Sequence, residues 1–342
     1  MRFKLRIYIV LLSFALGAAA QTGGDNTYEF LNLSTFSRVS SLGGMNVSVN
    51  TGNPSFSLYN PALLGRLMHR NLALNYSNYI AGINYGSAIY TKHIETYGSF
   101  AAGINYLNYG KFDRADPSGN INGSFTASEY ALNLIWSYAI DSLFNAAINI
   151  KPVFSHLDSY NSLGIAFDLG VSYRSRDGLY SAGLVVRNIG TQISTYSGVR
   201  DRLPFEIIAG ASAMLAHAPF RLSLTARNLQ KYRLIHEYLD PEESGAQSYK
   251  GAGEVAENIL RHLIFGLELL PSDNFYIAAG FNYKLRKEMV LESRGSTVGF
   301  SLGAGIMLSN MELSMSRSRF HLAGSQTSIS ILLKPGLFDR KN

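Results

Sequence analysis

The chain has 342 residues, enough for two ordinary domains or for one large β-barrel. Charged residues make up only 16% of it, below the roughly 25% of a typical soluble domain, and the net charge of +6 is carried by scattered lysines and arginines, which argues against a nucleic-acid-binding surface. The absence of cysteine excludes a disulfide scaffold, a thiolate zinc site, a cysteine nucleophile and an N-terminal lipoprotein anchor.

The first twenty residues have the charge order of a secretory signal peptide. Arg2, Lys4 and Arg6 precede an apolar stretch over residues 7–16, and three alanines end the segment before Gln21. The apolar stretch is shorter than the roughly 20 residues that a membrane-spanning helix needs. We therefore predict that residues 1–20 are removed and that the mature chain leaves the cytoplasm.

Residues 21–70 lack any strand-like alternation. They contain turn-forming sequences at residues 41–44, 50–54 and 60–62, which are rich in Ser, Gly, Asn and Pro. In a membrane barrel the sheltered place for such a segment is the lumen. Residues 21–70 are therefore predicted to form a periplasmic or plug segment, and residues 71–342 the barrel itself.

From residue 71 onward the chain repeats one unit, about ten residues of alternating apolar and polar character followed by a turn. Leu222 and Ser223, for example, fall on opposite faces of one such segment, and a period of two is typical of a β-strand. This pattern predicts an all-β protein with fourteen strands. They cover residues 71–79, 83–93, 97–109, 123–139, 144–157, 163–175, 180–188, 205–215, 220–229, 262–270, 275–285, 297–308, 311–319 and 326–333.

The connections between these segments alternate in length. Tight turns fall at residues 94–96, 139–142, 176–178, 216–219, 271–274 and 309–310, whereas longer connections cover residues 110–122, 158–162, 189–204, 230–261, 286–296 and 320–325. Only the connection at residues 80–82 breaks the alternation. Short turns at one end, long loops at the other and an even strand count are typical of a bacterial outer-membrane β-barrel. We therefore expect an outer-membrane location. A short helix is also expected at residues 254–261, inside the longest loop.

A soluble β-sandwich is the alternative, because its strands also alternate. The predicted strands, however, approach the 9 to 11 residues of a tilted membrane-spanning strand, whereas soluble strands average about 5 to 6. Tyrosines also recur near the predicted strand ends, where an interfacial aromatic girdle would place them. The tyrosines in this pattern are Tyr76, Tyr79, Tyr85, Tyr90, Tyr106, Tyr109, Tyr138 and Tyr173.

No constellation of residues in the sequence indicates catalysis. The seven histidines show no metal-binding spacing, and no serine lies in a nucleophile elbow. Asp168, Glu206 and Glu268 occur singly on predicted strands, which is the expected pattern of polar residues facing a barrel interior. Four basic residues have the same interpretation, with the lining of a binding cavity as their alternative: Lys151, Arg187, Arg221 and Arg227. We predict no catalytic residue, metal or cofactor.

Several segments carry a resemblance to known barrels. The Gly43-Gly44 pair, Asn60-Pro61-Ala62 and the fourteen-strand count resemble the FadL-type barrels, which have an N-terminal hatch. More closely, the chain resembles the PorQ-type barrels of the type IX secretion system of Bacteroidetes. The segments that carry this second resemblance are residues 27–33, 59–64, 108–112, 188–191, 203–207, 216–221 and 261–266.

The resemblance implies a non-enzymatic part in attaching secreted cargo to the cell surface. The implied partners are a surface protein of the PorZ kind, the sortase PorU and the barrel PorV, besides outer-membrane lipid, with no nucleic acid. Two functions stay open. The barrel could anchor an extracellular partner through its long loops, or it could be a FadL-like channel for hydrophobic small molecules with residues 26–66 as its gate.

Overall fold

The computed structural model describes residues 26–234, 252–288, 297–321 and 324–334. The signal peptide predicted at residues 1–20 and most of the loop at residues 230–261 lie outside these ranges. No helix within them is long and apolar enough to span a membrane.

The described chain forms one closed antiparallel barrel of fourteen strands, in which each strand pairs with its sequence neighbours and β1 pairs with β14. The predicted fourteen-stranded barrel is confirmed, and a two-sheet sandwich is excluded because the sheet is single and closed. The strands are β1 (Leu72–Asn78), β2 (Asn84–Ile94), β3 (Gly98–Ala115), β4 (Ile121–Ala139), β5 (Phe144–Leu157), β6 (Tyr160–Arg174), β7 (Tyr180–Ser194), β8 (Glu206–Met214), β9 (Phe220–Ala226), β10 (Leu263–Ser272), β11 (Phe275–Asn282), β12 (Phe300–Met307), β13 (Met311–His321) and β14 (Gly324–Leu333).

Alternation along each strand separates an apolar outer face from a polar lumen. Leu222 is 48% exposed on the outside of β9, whereas Ser223 beside it is 9% exposed. Lipid offers no hydrogen bonds, so a closed sheet with an apolar outer face is the arrangement a membrane permits for strands. Two tyrosines depart from the predicted girdle. Tyr85 is buried, and Tyr109 donates a hydrogen bond to the buried Glu129, because both face inward on their strands.

One predicted long loop is wrong. Residues 110–122 form a ribbon, since β3 and β4 continue past their neighbours β2 and β5, and residues 111–115 and 121–126 pair only with each other. At about 3.3 Å per residue, this ribbon extends about 20 Å beyond the rim. Its turn is closed by Asp116, whose carboxylate accepts hydrogen bonds from the backbone N–H of Asn120 and Ser118, both at 2.9 Å. These bonds stabilise the ionised form and lower the pKa of Asp116.

Other predicted connections and strand ends also differ. The connection predicted at residues 189–204 begins only after Ser194, where β7 ends, and the one predicted at residues 320–325 is reduced to residues 322–323, because His321 and Gly324 still pair in β13 and β14. β5 and β6 are joined by a tight hairpin at residues 158–159, where a loop over residues 158–162 was expected. The predicted strand at residues 275–285 ends at Asn282, because helix α3 (Tyr283–Glu288) begins there. The predicted helix in the longest loop is confirmed as α2 (Ala252–His262), which begins two residues earlier than expected.

Residues 26–70, called the hatch below, fill the lumen with short helical turns and no strand. They include helix α1 (Ser37–Ser41) and 3-10 turns at Glu29–Asn32, Pro54–Leu58, Pro61–Leu63 and Arg66–Met68. Two of these turns begin with an Asn-Pro pair in which the asparagine side chain accepts a backbone N–H, from Ser55 and from Ala62. The predicted plug is thus confirmed as an N-terminal segment packed inside the barrel.

Candidate functional site: the hatch and the barrel lumen

Helix α1 is held by serines that point inward from β12, β13 and β14. The Ser37 backbone N–H donates to Ser330 Oγ at 2.9 Å, and the Ser301 and Ser318 hydroxyls donate to the carbonyls of Ser41 and Ser40 at 3.0 and 2.9 Å. A helix of five residues leaves nearly all of its terminal backbone groups without helical partners. Serine side chains of the polar inner wall provide hydrogen-bond partners for these backbone groups, so the barrel stabilises the short helix of the hatch.

A buried charge cluster joins Arg38 of α1 to side chains of β9, β10 and β13. Arg38 Nε lies 2.7 Å from Glu268 Oε1, and both side chains are 1% exposed. Arg221 contacts the second oxygen of Glu268 at 3.0 Å, and Glu312 lies 3.9 Å from Arg38. The Arg38 guanidinium also stacks 3.9 Å from the ring centroid of Tyr276. Two arginines and two carboxylates therefore balance in a dry site, where an unpaired charge would be costly.

The far side of the hatch is fixed by Asn60 and by glycines of the barrel wall. Asn60 Nδ2 donates to the carbonyls of Val47 at 3.0 Å and Val171 at 3.3 Å. Gly183 lies so close to the hatch that a Cβ there would come within 2.0 Å of the Val47 carbonyl oxygen. At Gly280 a Cβ would come within 2.2 Å of the Gly43 backbone nitrogen. The hatch therefore approaches these strands at backbone distance.

The acidic and basic residues of the lumen occur singly in the sequence. In the structure they form ion pairs between strands. Lys151 Nζ lies 2.6 Å from Asp168, and Arg227 forms two hydrogen bonds of 2.8 Å with Glu206. Arg187 is buried and donates to the carbonyl of Leu31 in the hatch at 3.0 Å. The interpretation as interior polar residues is thus the one that the geometry favours. Arg227 also fits their alternative role as cavity lining, since it lines the first cavity described below.

Above the hatch, the outer mouth contains a polar cavity of about 250 Å³ between the hatch, β9 and the two outer helices. We call it the basic cavity, because its lining combines four basic side chains with three acidic ones. The basic residues are Arg227, Lys231, Arg261 and Lys284, and the acidic residues are Glu29, Glu206 and Glu288. Helices α2 and α3 meet at its edge, where Tyr283 donates a 2.5 Å hydrogen bond to Glu257.

Sequence reasoning missed the residue that links hatch and wall, Arg38. Its signal was available, since a single arginine lies within an otherwise uncharged stretch over residues 30–65. Its partner could not be found from spacing, because Glu268 is 230 residues away in sequence. Within the described ranges no group of three His, Cys, Asp or Glu side chains is arranged to hold a metal.

No protein-family model and no curated protein matches the sequence. Solved structures do match. The toluene transporter TbuX of Ralstonia pickettii is 13% identical, with 88% of this chain and 98% of that chain covered and a TM-score of 0.51. The CymD monoaromatic hydrocarbon channel is 13% identical, with coverages of 89% and 98% and a TM-score of 0.52. The P. putida toluene transporter TodX is 12% identical, with coverages of 88% and 97% and a TM-score of 0.50.

The chain has the fold of the TodX-like, or FadL-type, outer-membrane barrels. This fold and the apolar outer face agree with the predicted location in a bacterial outer membrane. The matched structures are described as two toluene transporters and a monoaromatic hydrocarbon channel. The resemblance to FadL-type barrels is thereby confirmed as a likeness of fold, and the finer resemblance to PorQ-type barrels stays a proposal.

Proposed function

We propose that the chain is an outer-membrane channel for small hydrophobic molecules, with the hatch as its gate. One observation carries the proposal: the hatch closes the lumen but takes no part in the barrel sheet. Its backbone makes one β-bridge, from Asn26 to Arg202 at the outer mouth, and one further backbone hydrogen bond, from the Arg70 N–H to the Thr91 carbonyl, next to the start of β1. Its other described hydrogen bonds and ion pairs with the wall involve at least one side chain. The hatch can therefore shift without breaking a strand pair.

The apolar interface between hatch and barrel favours a hydrophobic small molecule as the transported solute. Apolar side chains from both sides form one buried cluster, so a displaced hatch would open a path with apolar stretches on each wall. The hatch contributes Phe36, Val39, Met45, Phe56 and Leu63, and the barrel contributes Ile89, Ile135, Val185, Ile208 and Ile264. The matched structures are described as toluene transporters and a monoaromatic hydrocarbon channel, and by analogy we take monoaromatic hydrocarbons as the first candidates.

Uptake of radiolabelled toluene tests the proposal in a host that lacks its own hydrocarbon channel. We expect expression of this chain to raise the initial uptake rate above that of cells with an empty vector. Uptake of a polar solute of similar size should not change, since the hatch fills the lumen at rest. Equal toluene uptake with and without the barrel, at a verified amount of folded protein in the outer membrane, would overturn the channel.

A second candidate function is the anchoring of a surface partner, favoured by the structure outside the rim. The β3–β4 ribbon presents stacked Phe112 and Phe125 rings, with centroids 5.2 Å apart, and Ile121 is 67% exposed at its end. A channel for small molecules does not require a ribbon that extends beyond the barrel rim. Together with the PorQ-type resemblance, the ribbon supports retention of a PorZ-like protein, with PorU and PorV in the same attachment complex. Residues 238–252 of the longest loop were predicted to serve this role, and all of them except Ala252 lie outside the described residues.

Co-purification from detergent extracts tests the anchor. Replacing residues 112–125 by a two-residue turn, which connects the paired Lys111 and Thr126, should leave the barrel folded and abolish retention of a surface protein that the wild-type barrel holds. Shortening residues 238–252 provides the parallel test on the longest loop. If both shortened barrels keep every partner while toluene uptake proceeds, anchoring should be dropped in favour of the channel.

A further inference from the structure

The outer mouth holds a second cavity, of about 340 Å³, between the start of the hatch and the upper ends of β3, β4 and β5. We call it the acidic cavity. Three carboxylates line it, from Glu29, Glu129 and Asp201, together with the rings of Tyr28, Tyr109 and Tyr196. No basic side chain belongs to its lining, in contrast with the basic cavity.

Glu129 is the exceptional residue in this cavity. Its side chain faces the lumen from β4 and is 4% exposed, and the Tyr109 hydroxyl donates to its Oε2 at 2.6 Å. No described lysine, arginine or histidine lies within ion-pair distance of it. A buried ionised carboxylate without a cation is costly, so such a group either takes up a proton or meets positive charge from a bound ligand.

Comparison with the other lumen carboxylates strengthens the point. Each carboxylate on the described strands that faces the hatch has a cationic partner, apart from Glu129. Asp168 has Lys151 at 2.6 Å, Glu206 has Arg227 at 2.8 Å, and Glu268 has Arg38 at 2.7 Å. Glu312 completes the set with Arg38 at 3.9 Å. The fold thus pairs its interior charges systematically and leaves one negative charge beside an open cavity.

A second polar group at this position also lacks a partner. Ser155 lies opposite Glu129 in the β4–β5 register, so both side chains point to the same face. It is 3% exposed, and its hydroxyl lies beside Glu129 and Tyr196, which both line the cavity, without the geometry of a hydrogen bond to either. A buried hydroxyl beside a buried carboxylate offers two oxygen acceptors to a ligand that donates hydrogen bonds.

We infer that the acidic cavity binds an organic ammonium group. The carboxylates supply charge, Ser155 and Glu129 accept its hydrogen bonds, and the tyrosine rings contact its alkyl portion and attract the cation through their faces. The group could belong to a free amine or to a lysine side chain of an extracellular protein, which present the same chemistry to the site. This site is separate from the apolar path proposed for hydrocarbons.

Isothermal titration of the purified full-length barrel in a non-ionic detergent tests the inference. The probes are butylammonium, which matches a lysine side chain, and its neutral counterpart butanol. We expect saturable binding of butylammonium that weakens as salt is added, and no saturable binding of butanol. Absence of butylammonium binding, or equal binding of butanol, would overturn the inference.

Two variants tie the binding to the cavity. Glu129→Gln keeps the shape and the Tyr109 contact but removes the charge, and we expect the affinity for butylammonium to fall at least tenfold, which corresponds to about 1.4 kcal/mol. Asp201→Asn, at an exposed position, should give a smaller loss of affinity for butylammonium. It provides the test of the cavity if Glu129→Gln does not fold. Glu95→Gln is the matched control, since Glu95 is exposed in the β2–β3 turn, where it pairs with Arg66 of the hatch. Unchanged affinity in both cavity variants would contradict the assignment.

A lysine-bearing tripeptide, N-acetyl-Gly-Lys-Gly-amide, separates the two sources of the ammonium group. Binding of the peptide in competition with butylammonium would support a protein lysine as the ligand. Binding of butylammonium alone would support a free amine. Either result requires the loss in Glu129→Gln, and competition that persists in that variant would count against the site.

Discussion

The charge cluster between hatch and wall gives the sharpest prediction about gating. Glu268→Gln removes the carboxylate that both Arg38 and Arg221 contact, at 2.7 and 3.0 Å. The two guanidinium groups then face each other with only Glu312 nearby, at 3.9 Å from Arg38. When the hatch shifts, Arg38 leaves this site and regains water. The substitution should therefore favour the displaced hatch rather than unfold the barrel.

Removing one partner of a buried ion pair costs about 3 to 5 kcal/mol. The glutamine carbonyl can still accept a hydrogen bond from Arg38, so we expect a loss near 3 kcal/mol in the free energy of hatch opening. Since about 1.4 kcal/mol corresponds to a tenfold change, the population of the displaced hatch should rise by roughly two orders of magnitude.

Labelling of a single cysteine measures that population, because the natural chain contains none. Ser48 is fully buried in the hatch and its hydroxyl has no hydrogen-bond partner among the described residues, so Ser48→Cys is a mild reporter. When Glu268→Gln is added to the Ser48→Cys protein, the rate at which maleimide labels the introduced cysteine should rise roughly a hundredfold. Glu95→Gln, which breaks an exposed pair worth about 0 to 1 kcal/mol, is the control. An unchanged labelling rate in Glu268→Gln would refute the role of the cluster.

Three further predictions concern the barrel and the fit of the hatch. Leu222→Arg should cost roughly 2 to 4 kcal/mol if the side chain lies near the bilayer midplane, whereas Ser223→Asn in the lumen should be milder; equal losses in unfolding titrations would contradict the register. Gly183→Ala should loosen the hatch by about 1 to 3 kcal/mol because its Cβ meets the Val47 carbonyl, and Gly65→Ala, with open space around it, should be neutral in the same labelling assay. The mature chain should fractionate with the outer membrane and migrate faster on gels unboiled than boiled; extraction by salt alone would contradict a membrane barrel.

The strands were predictable because a membrane imposes one rule on every one of them. Apolar residues outside and polar residues inside give a period of two that persists over the length of each strand, and β5 has the predicted bounds of residues 144–157. The ribbon was missed because its residues lie above the rim, where no lipid selects for apolar side chains. Polar residues such as Lys111 and Asp113 therefore looked like a loop.

For the interior of the barrel, the polar character of the residues was predictable from the sequence, but their contacts were not. Sequence alternation placed Asp168, Glu206 and Glu268 inward, but it could not show which cation each one meets, since pairing depends on strand register and on the path of the hatch. The same limit hid Arg38, whose partner is set by the closed barrel. Glu129 was overlooked because its distinguishing property, the lack of a cation, exists only in three dimensions.

The central claim is that the hatch must move for a hydrophobic molecule to pass. Ser37 and Ser314 lie with their hydroxyl oxygens 2.5 Å apart, so Ser37→Cys with Ser314→Cys can form a disulfide that locks α1 to β13. Ser181 and Ser212, with oxygens 2.9 Å apart on β7 and β8, provide a control disulfide within the wall alone. We predict that oxidation stops toluene uptake in the hatch-locked barrel, that reductant restores it, and that the wall disulfide has no effect. Undiminished uptake through a fully oxidised hatch-locked barrel would contradict the claim.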